Sequence, residues 1–262
     1  MSGRLAGRRA FILGAAPNNV GAAIARAYVK EGAQVVVAGR REEAVRQVAE
    51  ETGAGWQICD ITDEASINNA VEGGVRAMGG VDIGVNTVGW GLLKPFLETT
   101  RAELDQMAAV QFTGPFQYFQ ALLRAMHKGG SIIQISSVTA TIMFDDHAAY
   151  MGTKAGMDHI IRCIAHEFGH KGIRANSIAA GGVADTPMSN GGMALSAVRD
   201  LYMREIPLQR PGVSADVAGA AIWLASDEAS FITGQTIHCS GGQTLRRNPS
   251  LAEVHAAFGQ HA

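Results

Sequence analysis

The chain of 262 residues has only three cysteines, Cys59, Cys163 and Cys239, each inside an apolar segment and none at metal-ligand spacing. That excludes a disulfide-built scaffold and a cysteine-held metal, and it suits buried thiols in a reducing, cytoplasmic compartment. Charge of one sign is also missing. A net charge of -2 with no long basic stretch argues against a nucleic-acid partner. No stretch approaches the 18 apolar residues that a membrane span needs. Arg4, Arg8 and Arg9 precede an apolar run at 10–16, but Pro17-Asn18-Asn19 cuts it at the minimum for a signal-peptide core, so none is expected. Repeats, linkers and low-complexity tracts are absent, and residues 1–262 read as one domain.

What is there is apolar and rich in glycine. Hydrophobic residues make up 47% and charged residues 18%, enough for a buried sheet covered on both faces, and 32 glycines fit many strand-to-helix turns. Residues 9–14 form a short apolar run ending in Gly14, followed by a turn-rich stretch through Asn18, Asn19 and Val20 to Gly21. A helix then runs to Gly32, and a second apolar strand follows at 34–38. Strand, glycine loop, helix and strand within about 30 residues is the context of a phosphate-cradling loop, with backbone N–H groups at the helix start. There is no glycine between 14 and 21; Asn18 and Asn19, of a type tolerant of left-handed backbone, fill the middle. Right after the second strand stand Arg40 and Arg41, with no acid before Glu42. An acid there would bond the ribose 2′-OH of NAD, whereas an Arg suits the 2′-phosphate of NADP, so NADP(H) is preferred over NAD(H).

Ser137, Tyr150 and Lys154 are the candidate catalytic set. A Tyr and a Lys four apart lie on one helix face. The ammonium is expected to pull the phenol's pKa down from about 10 toward the working pH. The Ser hydroxyl would hold the substrate oxygen while the phenol gives or takes its proton.

At this point the chain resembles the short-chain dehydrogenase/reductase family over residues 5 to about 245. The family's glycine loop is one residue longer here, with Asn19 where a glycine is usual. Cys59-Asp60-Ile61-Thr62-Asp63 resembles the third-strand ending, where the Asp accepts from adenine. Asn86-Thr87-Val88-Gly89 stands for the Asn-Asn-Ala-Gly motif, which stabilises the sheet beside the cofactor. Ser137 and Tyr150 keep the family's thirteen-residue separation. The stretch 173–181 resembles the strand leading to the nicotinamide loop, with Ala180 for a usual Pro, and 234–242 the last strand. The resemblance implies a doubly wound parallel α/β sheet of Rossmann-like type with helices on both faces. It implies a cofactor held by Gly14, Asn18, Asn19, Val20, Gly21, Arg40, Arg41, Asp60, Ile61, Asn86, Val88, Gly89, Tyr150, Lys154, Gly181 and Val183, with Lys154 on the nicotinamide ribose. It also implies a homotetramer built on long helices near 100–127 and 149–171. Gln111 takes the place of the family's Asn, which anchors a water relaying protons to the Lys; its longer side chain can hold that water or fill its site.

Three rival readings stand beside carbonyl chemistry. His166-Glu167-x-x-His170 matches a zinc-hydrolase pattern, but it sits at a helix end with no third ligand in view, where the helix dipole alone favours His. Enoyl reduction in a related branch spaces Tyr and Lys by six residues, and that position here is His147. A cofactor-sensing protein without turnover would not need the intact Ser, Tyr and Lys. The expected substrate is a fairly apolar ketone or secondary alcohol, under a helical cover at 185–211 rich in Met (Met188, Met193, Met203), with Trp90, Met143, Phe144 and His147 facing it. The stretch 246–262 extends past the family's usual end and is expected to cover a neighbouring subunit.

Overall fold

Seven strands, all parallel, build one sheet in the computed structural model, which describes residues 3–189 and 195–259. In chain order they are β1 (Arg9–Leu13), β2 (Gln34–Gly39), β3 (Gly55–Ile58), β4 (Ile83–Asn86), β5 (Gly130–Ser137), β6 (Ile173–Ala180) and β7 (Thr236–Cys239). Their spatial order is β3-β2-β1-β4-β5-β6-β7, with the direction of winding reversing between β1 and β4. In open parallel sheets the crevice beyond the carboxyl ends of the strands at that reversal is the ligand site.

Period-two alternation divides β1, β2 and β5 between two cores. Ala10 and Ile12 of β1, Val35 and Val37 of β2 and Ile133 and Ile135 of β5 pack with α1 (Val20–Lys30) and α8 (Ser214–Ala225). Phe11, Leu13, Val36 and Ile132 turn the other way, against α3 (Glu64–Met78), α5 (Gly114–Ala125) and α6 (Ala148–Phe168). Each fully buried Leu or Ile contributes about 1.5–3 kcal/mol relative to exposure, so these two layers fix where the strand ends stand. The buried Tyr118 hydroxyl lies 3.1 Å from the carbonyls of both Phe11 and Val85, tying α5 to the two strands that flank the reversal.

The first of the expected long helices is not uniform. α4 (Arg101–Ala108) runs into α5 through a π-helical turn at Ala109–Thr113. Pro115 explains it: the ring has no N–H and cannot sit over the carbonyl four residues back, that of Gln111. The Gly114 N–H bonds Ala109 O instead. A π turn widens the helix by a residue and sets Gln111 into the interior, where it is 2% exposed. Between β2 and β3 lies α2 (Glu42–Thr52), and α7 (Ser196–Glu205) and α9 (Leu251–Gly259) stand before and after α8 in the chain. No described helix is long and apolar enough to cross a membrane.

Candidate active site

The glycine loop follows β1 and brings β4 close. Gly14 has φ +98°, and a Cβ there would stand 2.6 Å from Thr87 Oγ1 and 2.8 Å from Val88 N. Only glycine permits both that backbone and that approach. Asn18 adopts the expected left-handed conformation, φ 58°. Asn19 does not: it is extended and caps α1, its Oδ1 accepting from Ala22 N (2.9 Å) and Ala16 N (3.2 Å). Its Nδ2 donates to Gly14 O at 2.8 Å, closing the longer loop on itself. This is why an Asn serves where a glycine is usual, and it leaves the first two helical N–H groups, those of Val20 and Gly21, for an anion.

Arg40 and Arg41 are exposed at the carboxyl end of β2. Asp60, after β3, accepts from Thr62 N (2.9 Å) and Oγ1 (2.7 Å), bonds that hold its carboxyl below the ordinary range, and the Arg40 charge adds to this. The buried Asn86 side chain accepts from Val88 N (3.1 Å) and donates to Gln134 Oε1 (2.9 Å), joining the ends of β4 and β5.

Tyr150 and Lys154 stand together, one turn apart on α6. Lys154 Nζ is 5.6 Å from the centre of the Tyr150 ring, and both side chains are buried. Nζ donates to Ile135 O at 2.9 Å, two residues before Ser137. Burial pushes the ammonium down to about 8. The expected fall of the Tyr150 phenol is not what the site produces: burial raises it, and the Ser137 hydroxyl beside it pulls the other way. The physical reason is desolvation, which disfavours the phenolate more than the nearby groups favour it. At neutral pH the phenol therefore keeps its proton.

Gln111 completes the cluster. Its Oε1 accepts from Trp90 N (3.0 Å) and its Nε2 donates to Thr153 Oγ1 (3.0 Å), so the amide fastens the 86–90 loop to α6. A methyl placed on Gly89 would lie 3.2 Å from Gln111 Oε1, 3.5 Å from Met188 Cε and 3.6 Å from Lys154 Nζ. Four segments far apart in sequence meet at that glycine.

Comparisons with known proteins give the family. A family model described as Enoyl-(Acyl carrier protein) reductase matches residues 14–244. D-threitol dehydrogenase of Mycolicibacterium smegmatis is 33% identical, over 93% of this chain and 95% of its own length. The 3-oxoacyl-[acyl-carrier-protein] reductase FabG of Salmonella typhimurium is 33% identical, over 91% of this chain and 98% of its own. A solved short-chain type dehydrogenase/reductase from Mycobacterium ulcerans superposes with a TM-score of 0.91 at 28% identity, covering 98% of both chains. The chain belongs to the short-chain dehydrogenase/reductase family. Its relatives are oxidoreductases of alcohols and carbonyls that use a nicotinamide cofactor.

The segments 143–147 and 187–189, expected to face the substrate, lie around this dehydrogenase/reductase centre. His147 stacks on Tyr150 with ring centres 4.3 Å apart, and it bonds Leu92 O through Nδ1 at 2.7 Å. Since a carbonyl only accepts, Nδ1 carries the proton, and burial keeps the ring neutral by lowering its pKa. Phe144 meets His147 edge-on at 5.9 Å. Met143 and Met188 are exposed, and Trp90 is half-buried. Of the expected cover, Pro187–Ser189 forms a short turn and Ser196–Glu205 is α7, while Gly191, Gly192 and Met193 lie outside the described residues. Gly181 packs against Gln243 Oε1, and Val183, buried, bridges to Gly212.

Two groups were missed in the sequence. Gln243 and Asn248 form a buried amide chain: Gly182 N donates to Gln243 Oε1 (3.3 Å), Gln243 Nε2 to Asn248 Oδ1 (2.8 Å) and Asn248 Nδ2 to Met143 O (3.0 Å). It links the 181–183 loop to the 143–147 segment through the tail, and no local pattern signals it. In the tail, Val254 and Ala257 of α9 pack on α7. The second group is Asp158, whose signal was present: a charged residue on the inward stripe of α6, four after Lys154. His166, Glu167 and His170 are all exposed at the end of that helix.

Proposed function

We propose that this chain catalyses reversible hydride transfer between NADP(H) and a fairly apolar ketone or secondary alcohol. The meeting of Tyr150, Lys154 and Ser137 beside Gly89, at the reversal of the sheet, carries the reading. The cofactor would supply the hydride. Val20 and Gly21 at the head of α1 would hold its pyrophosphate, with Gly14, Asn18 and Asn19 shaping the loop. Arg40 and Arg41, exposed and without an acid before Glu42, suit a 2′-phosphate. Asp60 and Ile61 would flank the adenine, Asn86, Val88 and Gly89 the ribose side, and Gly181 and Val183 the nicotinamide.

In carbonyl reduction Tyr150 hands its proton to the substrate oxygen while Ser137 donates a hydrogen bond to the same atom, stabilising the charge that develops there. Lys154 offsets negative charge on the phenol as the proton leaves and would hold the nicotinamide ribose. Gln111 acts by position: its amide keeps Trp90 and α6 in register. Reduction is expected to fall as pH rises through about 8, where Lys154 loses its charge.

Tyr150→Phe tests the reading. Turnover should drop by about 10²–10⁴-fold, the size of general acid catalysis, with cofactor still bound; near-normal rates would refute it. A panel of ketones and alcohols with NADPH and NADP, followed at the nicotinamide absorbance, gives the substrate class. Enoyl reduction is the second reading, favoured by the description of the matching family model; consumption of an enoyl thioester but of no ketone in that panel would establish it. The assembly that accompanies the reading is a homotetramer. Its support is the apolar groove between the outer faces of α5 and α6, lined by Phe116, Leu123, Ile160, Cys163 and Phe168; sedimentation of the full chain checks it.

A further inference from the structure

Lys154 shares the buried face of α6 with a second ionisable group. Asp158, one turn further along, is only 6% exposed and lies between Met157 and Ile161 on the stripe that faces the sheet. Its Oδ2 accepts from Ser136 Oγ at 2.9 Å. The preceding strand residue, Ile135, takes the Lys154 ammonium on its carbonyl, and the following one is Ser137. Three consecutive residues of β5 therefore serve the lysine, the buried acid and the catalytic hydroxyl. The other acid oxygen, Oδ1, and the Ser177 hydroxyl of β6 have no protein partner among the described residues, although the Ser177 hydroxyl still favours the ionised acid.

An isolated buried charge is strongly disfavoured, and a carboxylate placed in an apolar layer for packing alone would be an unfavourable choice. Two opposite charges one helical turn apart in a low-dielectric layer support each other. The charged groups that act on Asp158 are Lys154 and the exposed Arg162, both on α6; β5 and β6 face it with the hydroxyls of Ser136 and Ser177. Lys154 has Asp158 as its charged influence, with neutral Tyr150 and Gln111 on its other sides. Burial drives each of the pair toward its neutral form and the charge of the other opposes that. No hydrogen bond joins them, since each is held by its own β5 partner, so the influence is through space.

We propose that Asp158 is a positioning residue of the active site: its carboxylate is the counter-charge that keeps Lys154 an ammonium inside a water-poor pocket. The catalytic meaning of that charge rests on the function proposed above; the charge pairing itself does not. With Asp158 ionised and Lys154 protonated the pair is neutral overall. The phenol of Tyr150 then meets a cation at the moment its proton leaves, and Lys154 gives up no proton of its own.

The isosteric Asp158→Asn removes the charge and keeps the shape. The direct measurement is an NMR titration of the Lys154 side chain in the ligand-free protein, assigned with Lys154→Met. The midpoint, near 8 in the parent, should fall by about one unit or more in Asp158→Asn, the ordinary effect of losing a nearby opposite charge. The alkaline limb of carbonyl reduction should move down with it, so that above pH 8 the variant loses about tenfold more activity than at pH 6. A midpoint and limb unchanged from the parent would overturn the proposal and leave Asp158 a packing residue. Should Asp158→Asn not fold, Ser136→Ala gives the second test. It takes away the hydroxyl that favours the ionised acid, and the Lys154 midpoint should move the same way by less; no movement there would overturn the proposal as well. A shifted midpoint in a chain that reduces no carbonyl supports the counter-charge and counts instead against carbonyl reduction.

Discussion

The half of this molecule proposed to hold the cofactor and the half proposed to face the substrate are held by different forces. Around β1, α1 and β4 close backbone approaches do much of the fixing, Gly14 against Thr87 and Val88 and Gly21 against Ala15, all next to fully buried strands. The other half is held by side chains instead. The Gln243–Asn248 amide chain, Leu251 N on Asp145 (3.2 Å) and Arg247 between Glu205 and Glu253 join the 143–147 segment, α7 and the tail. Their apolar support is a small satellite cluster, Val198, Val254 and Ala257, apart from the two main cores. A phosphate has one shape and tolerates a rigid cradle. A wall built from removable amides and ion pairs can vary without disturbing the sheet, and segments with few buried apolar contacts open most readily.

The largest effect should come from breaking the rigid half. Gly14→Ala forces a side chain onto a backbone at φ +98° with Thr87 Oγ1 2.6 Å away. The backbone strain alone is worth about 1–3 kcal/mol. Thermal unfolding should show the loss, and dinucleotide affinity should fall together with it. A variant as stable and as active as the parent would show the loop to be softer than its contacts indicate. Arg40→Asp comes next and sharpens the comparison, because it touches recognition without touching packing. Preference for NADPH over NADH should drop about tenfold to a hundredfold, the worth of charge-assisted hydrogen bonds; an unchanged preference would mean the 2′-phosphate is held elsewhere.

In the substrate half, Asn248→Ala cuts the amide chain and leaves buried Gln243 Nε2 without its acceptor, a cost of about 1–3 kcal/mol in the local structure. The expected result is a substrate KM raised about tenfold with dinucleotide affinity unaltered. Ending the chain at Leu245 should do the same and more. Equal losses in both affinities would erase the distinction between the halves.

The same division decides how much could be read in the sequence. Strand periods, the Gly14–Gly21 loop, Arg40 and the Ser137–Tyr150–Lys154 spacing are local patterns, and the fold sets Tyr150 beside Lys154 and Ser137. The direction of the Tyr150 shift was not legible, because desolvation depends on which layers close over the ring. Gln243 and Asn248 were illegible for a related reason: two ordinary amides acquire a role only when the tail folds back over α7. Asp158 lay between these cases, since helical spacing put it beneath Lys154, but only the packed sheet shows that the face is dry.

The smallest expected effect concerns the residue that joins both lessons, Asn19. A sequence comparison treats it as a defect in a glycine motif, yet it caps α1 and bonds Gly14 O. Asn19→Ala should lower stability by about 1 kcal/mol, the usual loss of an N-cap. Asn19→Gly restores the family's residue and should lower stability by only a few tenths of that, since glycine is a tolerable cap. The two variants should separate in dinucleotide affinity. If the carboxamide only closes the loop, glycine binds as well as the parent does. If binding in the glycine variant falls as far as in the alanine one, the side chain itself orders the Val20 and Gly21 N–H groups that face the anion.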